Sequence, residues 1–274
     1  RRHRSHVWSL GRWRWPLAVG LWGGLFVIWV FPILVLLAVS IHDTWYGRLE
    51  PGNLTLDNYL TALTDPNIQQ AFGNSLLVAL GGATLGTILV VGTAYYTERT
   101  DGRFRGVVDF LTLTPLAVPG IIIGAGLLFT FLWVGKLLPP LNLYGTLAII
   151  IVGSVVVYLP VSSRIAVGNI VQIHSDLEEA ARISGATWLG QMREIFLPLF
   201  KNTTVVIWFF LAMHIIQLLS IPLITYTSDT VVIPVRLYQL YMYDPDIALV
   251  AAISSIFILL TVGSLLGLRR LGIT

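Results

Sequence analysis

Six stretches of this chain carry no charged side chain, and each is long enough to cross a lipid bilayer as a helix. They cover residues 16–41, 66–97, 110–135, 137–163, 202–228 and 247–268, the second being apolar from Ala71 onward. A spanning helix needs about 20 apolar residues. Only helices or closed barrels satisfy the whole backbone in lipid, and the period-two alternation of a barrel strand is missing. The expected fold class is an all-α membrane protein with six transmembrane helices. Composition agrees: 11% of residues are charged, against about a quarter in a soluble domain, and mean hydropathy is +0.79. With no cysteine, a disulfide framework and Cys-ligated metal chemistry are excluded. Residues 17–41 are too long for the core of a cleavable signal, and no small-residue cleavage site follows them. The first residue is Arg1 and not Met, as in a trimmed chain.

Lysine and arginine give the runs an orientation. On one side lie Arg1, Arg2, Arg4, Arg12 and Arg14, then Arg99, Arg103 and Arg105, then Arg164, Arg182, Arg193 and Lys201, then Arg269 and Arg270. The other side holds Arg48, Lys136 and Arg236. This bias of 14 to 3 places both termini and the segment 174–198 in the cytoplasm. The pI of about 9.3 does not point to nucleic acid, because the charge is spread over juxtamembrane loops and not gathered on one face. The outer loops are acidic and aromatic: Asp43, Trp45, Tyr46, Glu50, Asp57, Tyr59 and Asp65 in one, Tyr226, Asp229, Tyr238, Tyr241, Tyr243, Asp244 and Asp246 in the other. Tyr and Trp favour the membrane interface, and the same surface could receive a soluble partner. Asp65-Pro66 and Asp244-Pro245 are turn signals.

Between the fourth and fifth runs lies the most polar long segment of the later chain, Glu178 to Pro198. Ser175 followed by Glu178 is a capping box, so a helix is expected to start near Asp176. Gly185 suits the left-handed position that ends a helix. Glu178 and Arg182 are four apart, acid first, which favours the helix slightly. Leu177, Ala180, Ala181 and Ser184 share a narrow, small-sided face. Pro198 is expected to disturb the start of the next run. On the residues alone, a solvated loop with a helical turn fits equally.

The spacing goes further. Glu179-Ala180-Ala181, three residues, Gly185, nine residues, Ile195, one residue, Leu197-Pro198 resembles the EAA loop of type I ABC importer permeases. Phe72-Gly73-Asn74-Ser75-Leu76 and Pro115-Leu116-Ala117-Val118-Pro119-Gly120 look like further landmarks of that family. The resemblance implies a type I importer permease fold in a prokaryotic inner membrane. Residues 70–268 would form its transmembrane domain, with a coupling loop at 174–198. Residues 1–15 would be a basic tail, 16–69 the first helix and outer loop, and 269–274 a second tail. It implies a coupling helix docked on an ATP-binding subunit through Glu179, Ala180, Ala181 and Gly185, with Glu178 and Arg182 beside them. Implied partners are two ATP-binding subunits, a second permease subunit, alike or different, an extracytoplasmic solute-binding protein and the bilayer. No phosphate-cradling G-x-x-x-x-G-K-[ST] is present, and Gly135-Lys136 lacks its flanking residues. The chain is therefore expected to be no enzyme and to bind no cofactor, ATP and Mg²⁺ belonging to the partners.

Within the membrane runs the polar residues are few. His214 and Gln217 are three apart on one helical face, and polar groups at bilayer depth face a partner or a cavity. They read either as interhelical hydrogen bonds or as the solute path, with Asn74, Ser75, Tyr158, Pro119 and Ser220 as further path candidates. A lone His is a poor metal site. Pro115 and Pro119, four apart, suggest one kinked helix, either for packing or for lining a moving pore. Gly82 and Gly86 read as packing within the chain or as a dimer seam. No inverted pair of broken helices is evident. Pro119-Gly120 and Ser220-Ile221-Pro222-Leu223-Ile224 resemble the ferric-iron, polyamine and phosphonate branch. Gln217-Leu218-Leu219 stands where the ferric type commonly has an acid. Iron or a small charged organic solute is expected ahead of sugars. The rivals are a proton-coupled transporter using His214 and an intramembrane hydrolase pairing Ser154 or Ser220 with His214.

Overall fold

A computed structural model describes residues 11–174, 176–243 and 245–270. The capping residue Ser175, Asp244, the tail arginines Arg1, Arg2 and Arg4, and residues 271–274 lie outside it. In chain order the helices are α1 (Arg14–Leu25), α2 (Phe31–Ser40), α3 (Asp57–Thr64), α4 (Pro66–Arg99), α5 (Arg105–Leu113), α6 (Gly120–Leu137), α7 (Leu147–Ile170), α8 (Asp176–Ile183), α9 (Trp188–Gln191), α10 (Leu197–Ile215), α11 (Pro222–Thr225), α12 (Ile233–Met242) and α13 (Ile247–Arg270). Among the described residues there is no strand, and one isolated bridge joins His42 to Leu54. Five helical stretches are long and apolar enough to cross a membrane: Gly11–Ser40, Pro66–Arg99, Gly120–Leu137, Leu147–Ile170 and Trp188–Ile215. A shorter apolar stretch, Ile247–Gly263, supplies the sixth.

Prolines set the departures from the expected boundaries. The first helix starts at Arg14, before Pro16, because proline is tolerated in a first turn. α4 is capped by the Asp65 carboxylate, which accepts from Asn67 N and Ile68 N, with Pro66 at the first position. Pro32 and Pro198 each lack an N–H and crowd the carbonyl four residues back. Before each, the chain widens into a π-helical turn, Phe26–Val30 and Met192–Phe196. Pro198 therefore disturbs the fifth span without ending it, and the helix is continuous from Trp188 to Ile215. In the third run the kinked single helix does not form. A 3₁₀ turn covers Thr114–Ala117, Val118 is extended, and α6 begins only at Gly120. Pro115 and Pro119 thus share no helical face. Pro119 lacks a donor and holds Val118 in the extended region. The fifth run breaks as well, after Ile215.

The core is α4 packed against α7 and α10, with Val78, Ala83, Val90, Ile149, Ile150, Ile207 and Leu211 buried between them. Gly82 and Gly86 allow the closest approach. A Cβ on Gly82 would lie 2.8 Å from Ile215 Cδ1, and one on Gly86 would lie 2.8 Å from Leu211 Cδ1. The pair packs within the chain. A second cluster, built on Ala62, Ile68, Ala71, Ile233, Leu240, Leu249 and Ile253, joins α3, α4, α12 and α13. Two polar ties hold the clusters in register. Ser75 Oγ, 2% exposed, accepts from Ile233 N at 2.7 Å. The Asn74 amide donates to Asp229 O and Val231 O, both at 2.9 Å.

Gly86→Leu is expected to destabilise the fold by about 1–3 kcal/mol, the usual cost of overpacking. Gly86→Ala is expected to be mild, because the obstructing atom ends a flexible side chain. Ser75→Ala leaves the Ile233 N–H buried and unpaired, at about 1–3 kcal/mol. Thermal unfolding in detergent measures all three. A Ser75→Ala protein as stable as the parent contradicts the structural role.

Candidate coupling surface and solute path

The end of α4 carries Tyr95 and Arg99, one helical turn apart. Arg99 Nη2 donates to Ile170 O at 2.8 Å and to Ile173 O. It thereby satisfies carbonyls at and just beyond the end of α7, where a cation is favoured. Its Nε lies 3.6 Å from Glu178 Oε1 of α8, and the two side chains are 10% and 13% exposed. Tyr95 Oη donates to Glu178 Oε2 at 3.3 Å. The Tyr95 ring stands edge-on to Trp188 and Phe196, at centroid distances of 6.4 and 4.7 Å. Both halves of the 174–198 segment therefore rest on one face of the last turns of α4.

Glu178 is placed differently from its neighbours: its carboxylate turns inward to Arg99 and Tyr95, and among the described ion pairs none joins it to Arg182. A largely buried partner fixed by two carbonyls outweighs a solvated pair four residues on, which is worth only a few tenths of a kcal/mol. Removing one member of a buried pair costs about 3–5 kcal/mol. Tyr95 and Arg99 were not singled out from the sequence. The signal available was their four-residue spacing at the end of an uncharged run.

Most of the rest of α8, and its glycine end, is presented outward. Glu179, Ala180, Arg182 and Gly185 are exposed, and Ala181 is half-buried. Beside them Ile183 is 87% exposed, and Leu177, Trp188 and Leu189 are also exposed. Gly185 adopts φ +85°, with Gly185 N donating to Arg182 O and Ala186 N to Ala181 O. That pair of bonds is the Schellman ending, which calls for a left-handed residue at this position. Thr187 Oγ1 then accepts from Gly190 N to start α9.

Deeper in the bundle the two broken runs meet. A Cβ on Gly120 would lie 2.5 Å from Ser220 Oγ, one on Gly124 would lie 3.5 Å from Ile221 Cα, and one on Gly153 would lie 2.6 Å from Ile221 Cγ2. Gly120 also faces Val157, which is about 20 Å along α7 from its end at Ile170. Non-helical backbone at that depth persists only inside protein or facing a watery cavity. The His214 ring sits 5.5 Å from Tyr158 and 4.1 Å from Phe210, and its Nδ1 lies 2.7 Å from Phe210 O. His214 and Gln217 are exposed, and Tyr158 is half-buried. Pro119, Tyr158, His214, Gln217 and Ser220 thus gather around the two breaks. Asn74 and Ser75 do not; their polar groups are used in the ties to residues 229–233. Ser154 Oγ is buried on Ile150 O. Among the described hydrogen bonds no serine meets His214, as a hydrolytic pair would require.

A family model described as "Binding-protein-dependent transport system inner membrane component" matches residues 82–271. The sulfoquinovosyl glycerol transport system permease of Agrobacterium fabrum is 27% identical over 184 residues, 64% of this chain and 61% of that protein. A putative ferric transport system permease of Haemophilus influenzae is 28% identical over 179 residues, 60% of this chain and 27% of that protein. In both cases the match spans less than two thirds of the relative's length. The maltose/maltodextrin transport system permease of Vibrio parahaemolyticus is 25% identical over 265 residues, 88% of each chain. A chain of a bacterial ABC transporter for import of the acidic polysaccharide alginate shares the fold. Its TM-score is 0.70 at 20% identity, over 92% of this chain and 94% of that one. A family model that covers more than half of the chain, on a fold shared with a solved importer chain, leaves one assignment: this protein belongs to the binding-protein-dependent transport system inner membrane component family.

Proposed function

We propose that the chain is the transmembrane subunit of an ATP-driven, binding-protein-dependent importer. The observation that carries this is the 176–198 segment, whose EAA-type spacing folds into two short helices around a left-handed Gly185 and exposes Glu179, Ala180, Arg182 and apolar neighbours. In this reading the segment lies in the cytoplasm and fits a groove on an ATP-binding subunit. Hydrolysis belongs to two such subunits with their ATP and Mg²⁺, and a second permease subunit completes the path. A solute-binding protein docks on the far side. Support for that partner comes from a bacterial alginate ABC transporter of the same fold, solved in complex with an alginate pentasaccharide-bound periplasmic protein. Closure of the ATP-binding pair moves the coupling segments together and biases the bundle between inward-open and outward-open states.

For the solute, the side chains at the two breaks are aromatic or neutral polar: Tyr158, His214, Gln217 and Ser220. That chemistry suits a hydroxylated solute, and the sulfoquinovosyl glycerol and maltose/maltodextrin relatives support the sugar reading. The ferric-type relative supports iron as the second reading, against which stands Gln217-Leu218-Leu219 in place of a carboxylate.

Glu179→Arg and Gly185→Val are expected to lower ATP-driven uptake by about tenfold or more, since 1.4 kcal/mol already gives tenfold and valine at positive φ costs about 1–3 kcal/mol. Membrane insertion should be kept. Uptake into vesicles with the binding protein present, beside membrane abundance, measures this, and unaltered uptake in both variants defeats the docking assignment. Competition of labelled uptake by a neutral oligosaccharide, with none by ferric ion, is the result expected for the solute.

A further inference from the structure

The inward turn of Glu178 assigns it a task inside this chain. We propose that Tyr95, Arg99 and Glu178 form an internal latch that ties the coupling helix α8 to the ends of α4 and α7, making them positioning residues for the transport stroke. The inference rests on the importer reading of the 176–198 segment. Three elements converge on one guanidinium: α4 supplies Arg99, the end of α7 supplies the carbonyls of Ile170 and Ile173, and α8 supplies the carboxylate. Through this group a displacement of α8 reaches two helices of the core without a loop in between. Tyr95 adds a second link, because its hydroxyl meets Glu178 while its ring meets Trp188 and Phe196 of the following helix.

The geometry also leaves the latch unfinished. Arg99 Nε and Glu178 Oε1 are buried without a hydrogen-bond partner, although only 3.6 Å separates them. These two atoms of opposite charge would close into a hydrogen bond after a shift of about 0.7–0.9 Å, since such bonds form at about 2.7–2.9 Å. A docking residue would instead have its carboxylate in solvent, as its neighbour Glu179 does.

The test uses the full chain assembled with its partner subunits, as the parent and as Glu178→Gln, Arg99→Lys and Glu179→Gln. Glu178→Gln keeps the shape without the charge. Arg99→Lys keeps the charge but cannot span two carbonyls and a carboxylate. Amide hydrogen exchange over residues 176–183 is expected to rise in both, with residues 200–215 unchanged. The ATP-binding subunit should still co-purify, and solute imported per ATP should fall on the order of tenfold. Glu179→Gln should instead weaken co-purification. Unchanged exchange over 176–183 overturns the latch. So does loss of the ATP-binding subunit from Glu178→Gln with exchange unaltered, which would make Glu178 a docking residue. If the parent assembly imports nothing with ATP, the importer reading fails on its own, and the exchange measurement still decides whether the pair holds α8.

Discussion

The hydrocarbon core of a bilayer is about 30 Å thick, and a helix of 34 residues is about 51 Å long. The surplus of α4 carries the rest of the architecture. Its middle, made smooth by Gly82 and Gly86, lies against α10 and α7. Its far end, at Tyr95 and Arg99, gathers the end of α7 and both halves of the segment that follows. One rigid element thus runs from the membrane core to the surface where a partner would press. An arginine at that end has a further role, because it binds Ile170 O at the last residue of α7, which otherwise accepts from Ile173 N, and Ile173 O just beyond the helix end.

Breaks in the other helices acquire meaning from this rigid frame. A chain that interrupts its helices in lipid must find other partners for the freed backbone groups. Here the interruptions at 118–119 and 216–221 lie against each other, packed through Gly120 and through Gly153 of α7, neither of which could carry a side chain without displacing Ser220 or Ile221. A region with two helix ends, a few neutral polar groups and little side-chain bulk can change shape at lower cost than a continuous helix. It is the part of the bundle in which a path could open while α4 stays straight.

Much of this was legible in the sequence. Charge-free runs located the spans, Gly185 announced its left-handed turn, and Gly82 with Gly86 announced a close approach. What escaped was set by tertiary partners. Pro115 and Pro119 were compatible with a kinked helix, and only the packing of Gly120 on Ser220 shows why a full break is accommodated. Asn74 and Ser75 looked like polar groups seeking a path because the backbone they satisfy, at 229–233, is over 150 residues away. The two π-helical turns follow from Pro32 and Pro198, yet a proline does not say whether its helix will widen or stop; buried Phe196 and Phe200, stacked at 5.1 Å, keep the second one running.

Glu178 and Glu179 show the same limit at the scale of one residue. Successive side chains on a helix point about 100° apart, so neighbouring carboxylates on a surface helix can face different surroundings. Which of the two turns inward depends on a cation waiting there. Arg99 is 79 residues earlier in the chain, at the end of an element whose length sets its reach. Shortening α4 by one turn would withdraw the guanidinium by about 5.4 Å, more than the 3.6 Å that now separates it from the carboxylate. The orientation of α8 is therefore encoded in the length of a membrane helix as much as in its own residues.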